Sequence, residues 1–162
     1  MNIADFCSEL DLQLGLSSPN ERLPLAIRML CKAFKLQAED IAVFRLDPEE
    51  EMLKFIWPEK LKSSGAIPLN AKNSLVARTL RENRGYLDNR FAKSAHGVIF
   101  EAFSGGNPIQ KILSVPMLCD SEPKGVIQLS RKGAEFKDAG ADFSQAELSA
   151  LKKISAIIAR HL

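Results

Sequence analysis

The sequence predicts an α+β fold, with helices toward both ends of the chain and β-hairpins between them. Three observations carry this prediction. Apolar residues recur at helical spacing over 3–36 and again from 143 to the last residue. Segments 41–57 and 111–130 each contain two runs rich in branched and aromatic residues around a polar turn. The 162 residues, 46% hydrophobic and 26% charged, suit one core that buries about 70% of the extended chain's surface. No repeat, low-complexity tract or linker interrupts them, so residues 1–162 read as a single domain, with 1–16 as an N-terminal helix suited to dimerisation.

The elements follow in order. Ile3, Phe6, Cys7, Leu10 and Leu14 share one helical face, and 15–18 breaks it. Ser18, Pro19 and Glu21 have the form of a capping box with proline at the first helical position. Pro24 costs a backbone hydrogen bond, so this second helix either starts later or kinks there. Ile27, Leu30, Cys31 and Phe34 carry it to about Leu36. Strands 41–46 and 52–57 flank an acidic turn containing Pro48, and 66–69 is a further short strand. Asn73 or Ser74 caps a helix carrying Leu75, Val76, Thr79 and Leu80, which ends near Gly85. Residues 86–88 are briefly extended, and 91–107 show no period. Strands 111–118 and 125–130 enclose a polar turn, 119–124. Ser144 and Glu147 form a capping box, Phe143 staples onto Leu148, and Leu151, Ile154, Ile158 and Leu162 continue the stripe.

Composition narrows function by exclusion. A net charge of +2 is too balanced for nucleic acid or an anionic membrane as partner. The first basic residue, Arg22, follows four acids, which is unlike a secretory signal, and no charge-free stretch nears the ~20 residues of a membrane span. Cys7, Cys31 and Cys119 are odd in number and widely spaced, as in a reducing compartment, so the expected location is cytoplasmic. Walker, GxSxG, HExxH and EF-hand patterns are absent. His96 and His161, with scattered cysteines, do not space a zinc site. Neither a catalytic residue nor a metal is expected, and no cofactor is indicated.

Taken together, the order and spacing of these segments resemble the GAF domain family over about 23–162. The pieces are the hairpin around Asp47; Ile67-Pro68-Leu69 before Ser74-Leu75-Val76-Ala77; Tyr86-Leu87-Asp88; and Ile112-Leu113-Ser114-Val115-Pro116-Met117. Gly125-Val126-Ile127-Gln128-Leu129-Ser130-Arg131-Lys132 follows, then Asp142-Phe143-Ser144 with Glu147-Leu148. The resemblance implies a three-layer α/β/α, profilin-like fold whose central antiparallel sheet has five or six strands in core order 2-1-5-4-3. It further implies a regulatory, signal-transducing role in which a small molecule, an anionic one among the candidates, binds a cavity under 71–111. The signal would pass through the terminal helices to an effector protein. The alternative is a ligand-free module that forms a homodimer or binds a partner protein.

Subfamily motifs restrict this further. The cyclic-nucleotide pattern retains Lys132 and Phe143, with Glu147 still able to pair with Lys132, but Arg131 and Leu148 replace its Asn and second acid. Bilin attachment lacks its Asp-Ile-Pro and Cys-His. The free methionine-(R)-sulfoxide reductase, the less favoured enzymatic reading, has a cysteine where Leu75 stands here. Segment charge is uneven: 37–70 carry −3 and 71–111 carry +4. Within the positive stretch Arg78 and Arg81, at i and i+3, form either a carboxylate or phosphate clamp or a solvated helix side. Trp57 can floor a pocket or simply pack; Asp88, Arg90 and His96 can orient a ligand, or Asp88 can cap a turn. Ser114 and Gln128 are polar strand residues whose direction depends on register.

Overall fold

The computed structural model describes residues 2–93 and 106–162. Helix α1 (Ile3–Leu16) is capped by the Asn2 side chain, which accepts from the backbone N–H of Ala4 and Asp5, and buries Leu10 and Leu14. Helix α2 (Pro19–Phe34) starts at Pro19 and continues through Pro24, so the later start is ruled out. Its capping box does not form. The Ser18 hydroxyl donates to Asn20 Oδ1 at 3.0 Å and gives the helix no side-chain cap. The helix closes on Lys35 at φ 55°.

Among the described residues six strands follow: β1 (Ile41–Asp47), β2 (Met52–Trp57), β3 (Ala66–Pro68), β4 (Tyr86–Asp88), β5 (Ile109–Cys119) and β6 (Glu122–Lys132). They form one antiparallel sheet in the order β3-β2-β1-β6-β5-β4. Without the short edge strand β3, and renumbered, this is the expected core order 2-1-5-4-3. The turn joining β5 to β6 is tighter than the sequence suggests. Cys119 pairs with Glu122, so only Asp120 and Ser121 are left, both at positive φ. That is the twist a two-residue hairpin needs, achieved here without the usual glycine.

Helix α3 (Leu75–Glu82) is capped by Ser74, and α4 (Gln145–His161) by the predicted Ser144–Glu147 box, in which each side chain accepts from the other's backbone N–H. Strand alternation divides the interior into two cores. On one face Leu113, Val115, Met117, Ile127 and Leu129 pack with α1, α2 and α4. On the other, Phe44, Leu53, Phe55, Ile112 and Val126 pack with α3. The result is the expected three-layer arrangement. β1 and β6 approach closely at Gly125, where an added Cβ would lie 1.9 Å from the Phe44 carbonyl oxygen.

Candidate functional site

The α3 face of the sheet is not fully packed. At the end where β6 finishes and β1 begins lies a small cavity, partly open to solvent. Its wall is mostly apolar, with Ile41 and Ala42 from β1, Phe55 from β2, Ile109 and Ile112 from β5. Pro58 and Leu61, beyond β2, cover it. Three of its polar residues come from β6, where Gln128, Ser130 and Lys132 occur at alternate positions, the period that places strand residues on one face.

Gln128 is 2% exposed and opposite Ser114 in the β5–β6 ladder. Three side chains form a relay whose hydrogens can be assigned. The Thr79 hydroxyl donates its single proton to the Leu75 carbonyl at 2.7 Å. Its 2.7 Å bond with Ser114 must therefore use the Ser114 proton. Ser114 is left only able to accept from Gln128, so the Gln128 amide nitrogen, at 3.0 Å, is the donor. This fixes the orientation of the amide. Gln128 Oε1 then finds no hydrogen-bond partner among the described residues, although it is shut off from bulk water.

The polar rim is balanced in charge, with Glu39 and Asp40 facing Lys60 and Lys132. Lys132 donates to the Glu39 carbonyl at 2.7 Å and lies 3.9 Å from Asp40. Burial holds its ammonium below the usual lysine value, against the opposing pull of Asp40. Ser130 donates to the Asp40 carbonyl at 3.0 Å, tying the rim to β6.

The residues singled out in the sequence are dispersed. Ser114 belongs to the relay beside the cavity. Trp57 lies on the opposite face because Ile56 is an extra residue between Phe55 and Trp57, which pair with the consecutive Phe44 and Val43. Such a bulge reverses the alternation; Trp57 donates from its indole to the Ala38 carbonyl at 3.0 Å. Arg78 pairs with Glu82 at 3.1 Å, whereas Arg81 donates to the carbonyls of Leu69 and Ala71 at 2.7 and 2.8 Å. The two guanidiniums thus have separate partners. Asp88 accepts from the Arg90 backbone N–H at 2.8 Å and caps a turn. His96 lies outside the described residues. Of 71–111, Ile109 is the residue that lines the cavity among those described.

Other expectations are corrected. Glu147 pairs with Arg131 at 3.3 Å instead of Lys132, because consecutive β6 residues face opposite ways. Arg131 also lies over the Phe143 ring at 4.0 Å. Two residues had no sequence signal for their roles. Asn89 exchanges two hydrogen bonds with the Phe143 backbone, at 2.8 and 3.0 Å, and Lys111, 2% exposed, pairs with Asp142 at 2.8 Å. Both link segments far apart in the chain.

All three cysteines are free and pack against the helical core on the face away from the cavity. Burial raises the Cys7 and Cys31 thiols above their ordinary value. Among the described residues, no cluster of His, Cys, Asp and Glu is placed to hold a metal ion. Nor is any helix long and apolar enough to cross a membrane.

No family model matches the sequence, and no curated protein matches it significantly. Solved structures match its fold over nearly its whole length. The GAF domain of a phosphoenolpyruvate-protein phosphotransferase from Coxiella burnetii is 13% identical, with a TM-score of 0.79, over 99% of this chain and 92% of that one. The corresponding GAF domain from Acinetobacter is 18% identical, with a TM-score of 0.73, over 99% and 93%. Free methionine-R-sulfoxide reductase from Neisseria meningitidis, in complex with its substrate, is 12% identical, with a TM-score of 0.70, over 98% and 87%.

Proposed function

The chain has the GAF fold, and on that premise we propose that it is a regulatory domain that binds a small molecule in the cavity between β1, β6 and the 58–61 turn. The observation that carries this reading is the two-sidedness of β6. Gln128 lines the cavity, while its neighbours Ile127 and Leu129 pack in the core shared by α1, α2 and α4. A ligand that shifts β6 therefore acts directly on the packing of the terminal helices, through a close-packed interior that transmits displacement. Occupancy would be passed to an effector protein through α1 and α4, which are joined by Asp11 with His161 and Arg160 at 2.7 and 3.2 Å.

The sulfoxide-reductase reading is less well supported. Leu75 stands where that chemistry needs a thiol, and Cys7, Cys31 and Cys119 lie across the sheet from the cavity. A homodimerising module is favoured by one specific observation, the exposure of Leu12 and Leu16 on α1, at 58% and 79%. A thermal-shift and calorimetric screen of nucleotides, organic acids and small amides tests the sensor reading. Binding should raise the melting temperature, and the cavity-filling Ala42→Leu variant should abolish the shift. The sensor reading fails if no compound shifts the wild type.

A further inference from the structure

The strongest unexplained feature is the Gln128 carboxamide oxygen, a buried acceptor without a partner among the described residues, on a side chain that lines the cavity. Buried polar atoms in folded proteins nearly always have a partner, because leaving one unpaired forfeits its hydration. The orientation of the amide is not adjustable here. Turning it over would place its oxygen against Ser114 Oγ, whose only proton is committed to Thr79, which in turn donates to Leu75. The Thr79–Ser114–Gln128 relay thus turns the amide nitrogen to Ser114 and leaves the oxygen as the spare acceptor of a side chain that lines the cavity.

Resting on the cavity reading above, we propose that the ligand is a small uncharged molecule with an apolar body and an N–H or O–H group that donates to Gln128 Oε1. A carboxylate or phosphate oxygen at that point would set acceptor against acceptor, and the neutral rim of Glu39, Asp40, Lys60 and Lys132 supplies no net positive field in compensation. The apolar body would contact Ala42, Phe55, Leu61 and Ile112. This reverses the anionic preference suggested by the charge of 71–111, whose Arg78 and Arg81 have other partners.

The test uses matched probes, isobutyramide against isobutyrate and benzamide against benzoate, titrated into the ¹⁵N-labelled protein and followed by NMR. Each amide should bind at least ~10-fold more tightly than its carboxylate, since a site built around a hydrogen bond rejects analogues lacking the donor. The Gln128 side-chain amide signals should move on binding. In Gln128→Leu the preference should fall to about onefold. Equal or tighter carboxylate binding overturns the ligand class and leaves the cavity reading intact. If neither member of either pair shifts any cavity resonance, the cavity reading itself falls. Should Gln128→Leu not fold, the Gln128 amide signals of the wild type decide: amide binding that leaves them unmoved overturns the proposal.

Discussion

Gln128 donates to Ser114 across the β5–β6 ladder at 3.0 Å, between two residues that are directly paired in the sheet. Both are buried, so this one contact decides which end of the carboxamide is left for the cavity. Thr79, on α3, settles the direction by refusing a second proton to Ser114.

Ser114→Ala removes the middle of the relay. The Gln128 N–H loses its acceptor and Thr79 loses a donor, each within a closed interior. Stability should fall by about 1–3 kcal/mol, the usual cost of leaving buried groups unpaired. Urea denaturation checks this. Gln128→Leu should behave differently, with no loss or a gain, because it also removes the unpaired oxygen.

Gly125→Ala should be more damaging than its size suggests. The added carbon would sit 1.9 Å from the Phe44 carbonyl and 2.7 Å from the Met117 methyl group. The methionine can turn aside, but the carbonyl is fixed by the ladder, so β1 and β6 would have to separate. We expect destabilisation of at least ~1–3 kcal/mol, the common range for overpacking, measured by thermal and chemical unfolding.

These expectations show what was legible in the sequence. The hairpins and the α4 capping box follow from local patterns: period-two alternation, paired Ser144 and Glu147, and turn residues between strands; the sheet order came only with the family resemblance. The cavity was not legible to the same degree. It depends on which β5 residue stands opposite Gln128 and on the bulge at Ile56 that turns Trp57 away, and neither register nor bulge leaves a local signature. Arg78 and Arg81 were equally ambiguous, because helical spacing places two charges on a face without specifying that Arg81 reaches carbonyls in the preceding loop. The failed cap at Ser18 was equally hidden, because Ser18 and Glu21 have the spacing of a capping box whether or not the side chains turn to the backbone.

Asn89→Ala severs both hydrogen bonds to the Phe143 backbone, the only polar contacts of that side chain among the described residues. A cost of about 1–3 kcal/mol is expected. Hydrogen exchange should localise the effect, with faster exchange at Phe143 and in the first turn of α4 and little change in α2.

Asp11 should contribute to acid sensitivity. Hydrogen bonds from His161, then Arg160, hold its carboxyl below the ordinary 3.8. A carboxyl depressed on folding stabilises the protein above its unfolded-state value, and that contribution is lost as pH falls through the folded-state value. The deficit of Asp11→Asn relative to wild type should therefore be present above pH 3.8 and fade below it. Denaturation of both proteins across that window checks the direction. A deficit that grows toward low pH would contradict it.

The most direct test of the central claim is a high-resolution crystal structure of the protein grown with isobutyramide. The account predicts the amide in the cavity, its nitrogen within hydrogen-bond distance of Gln128 Oε1 and its apolar end against Phe55 and Ile112. A cavity filled by protein side chains, with Gln128 Oε1 satisfied by one of them, would contradict it.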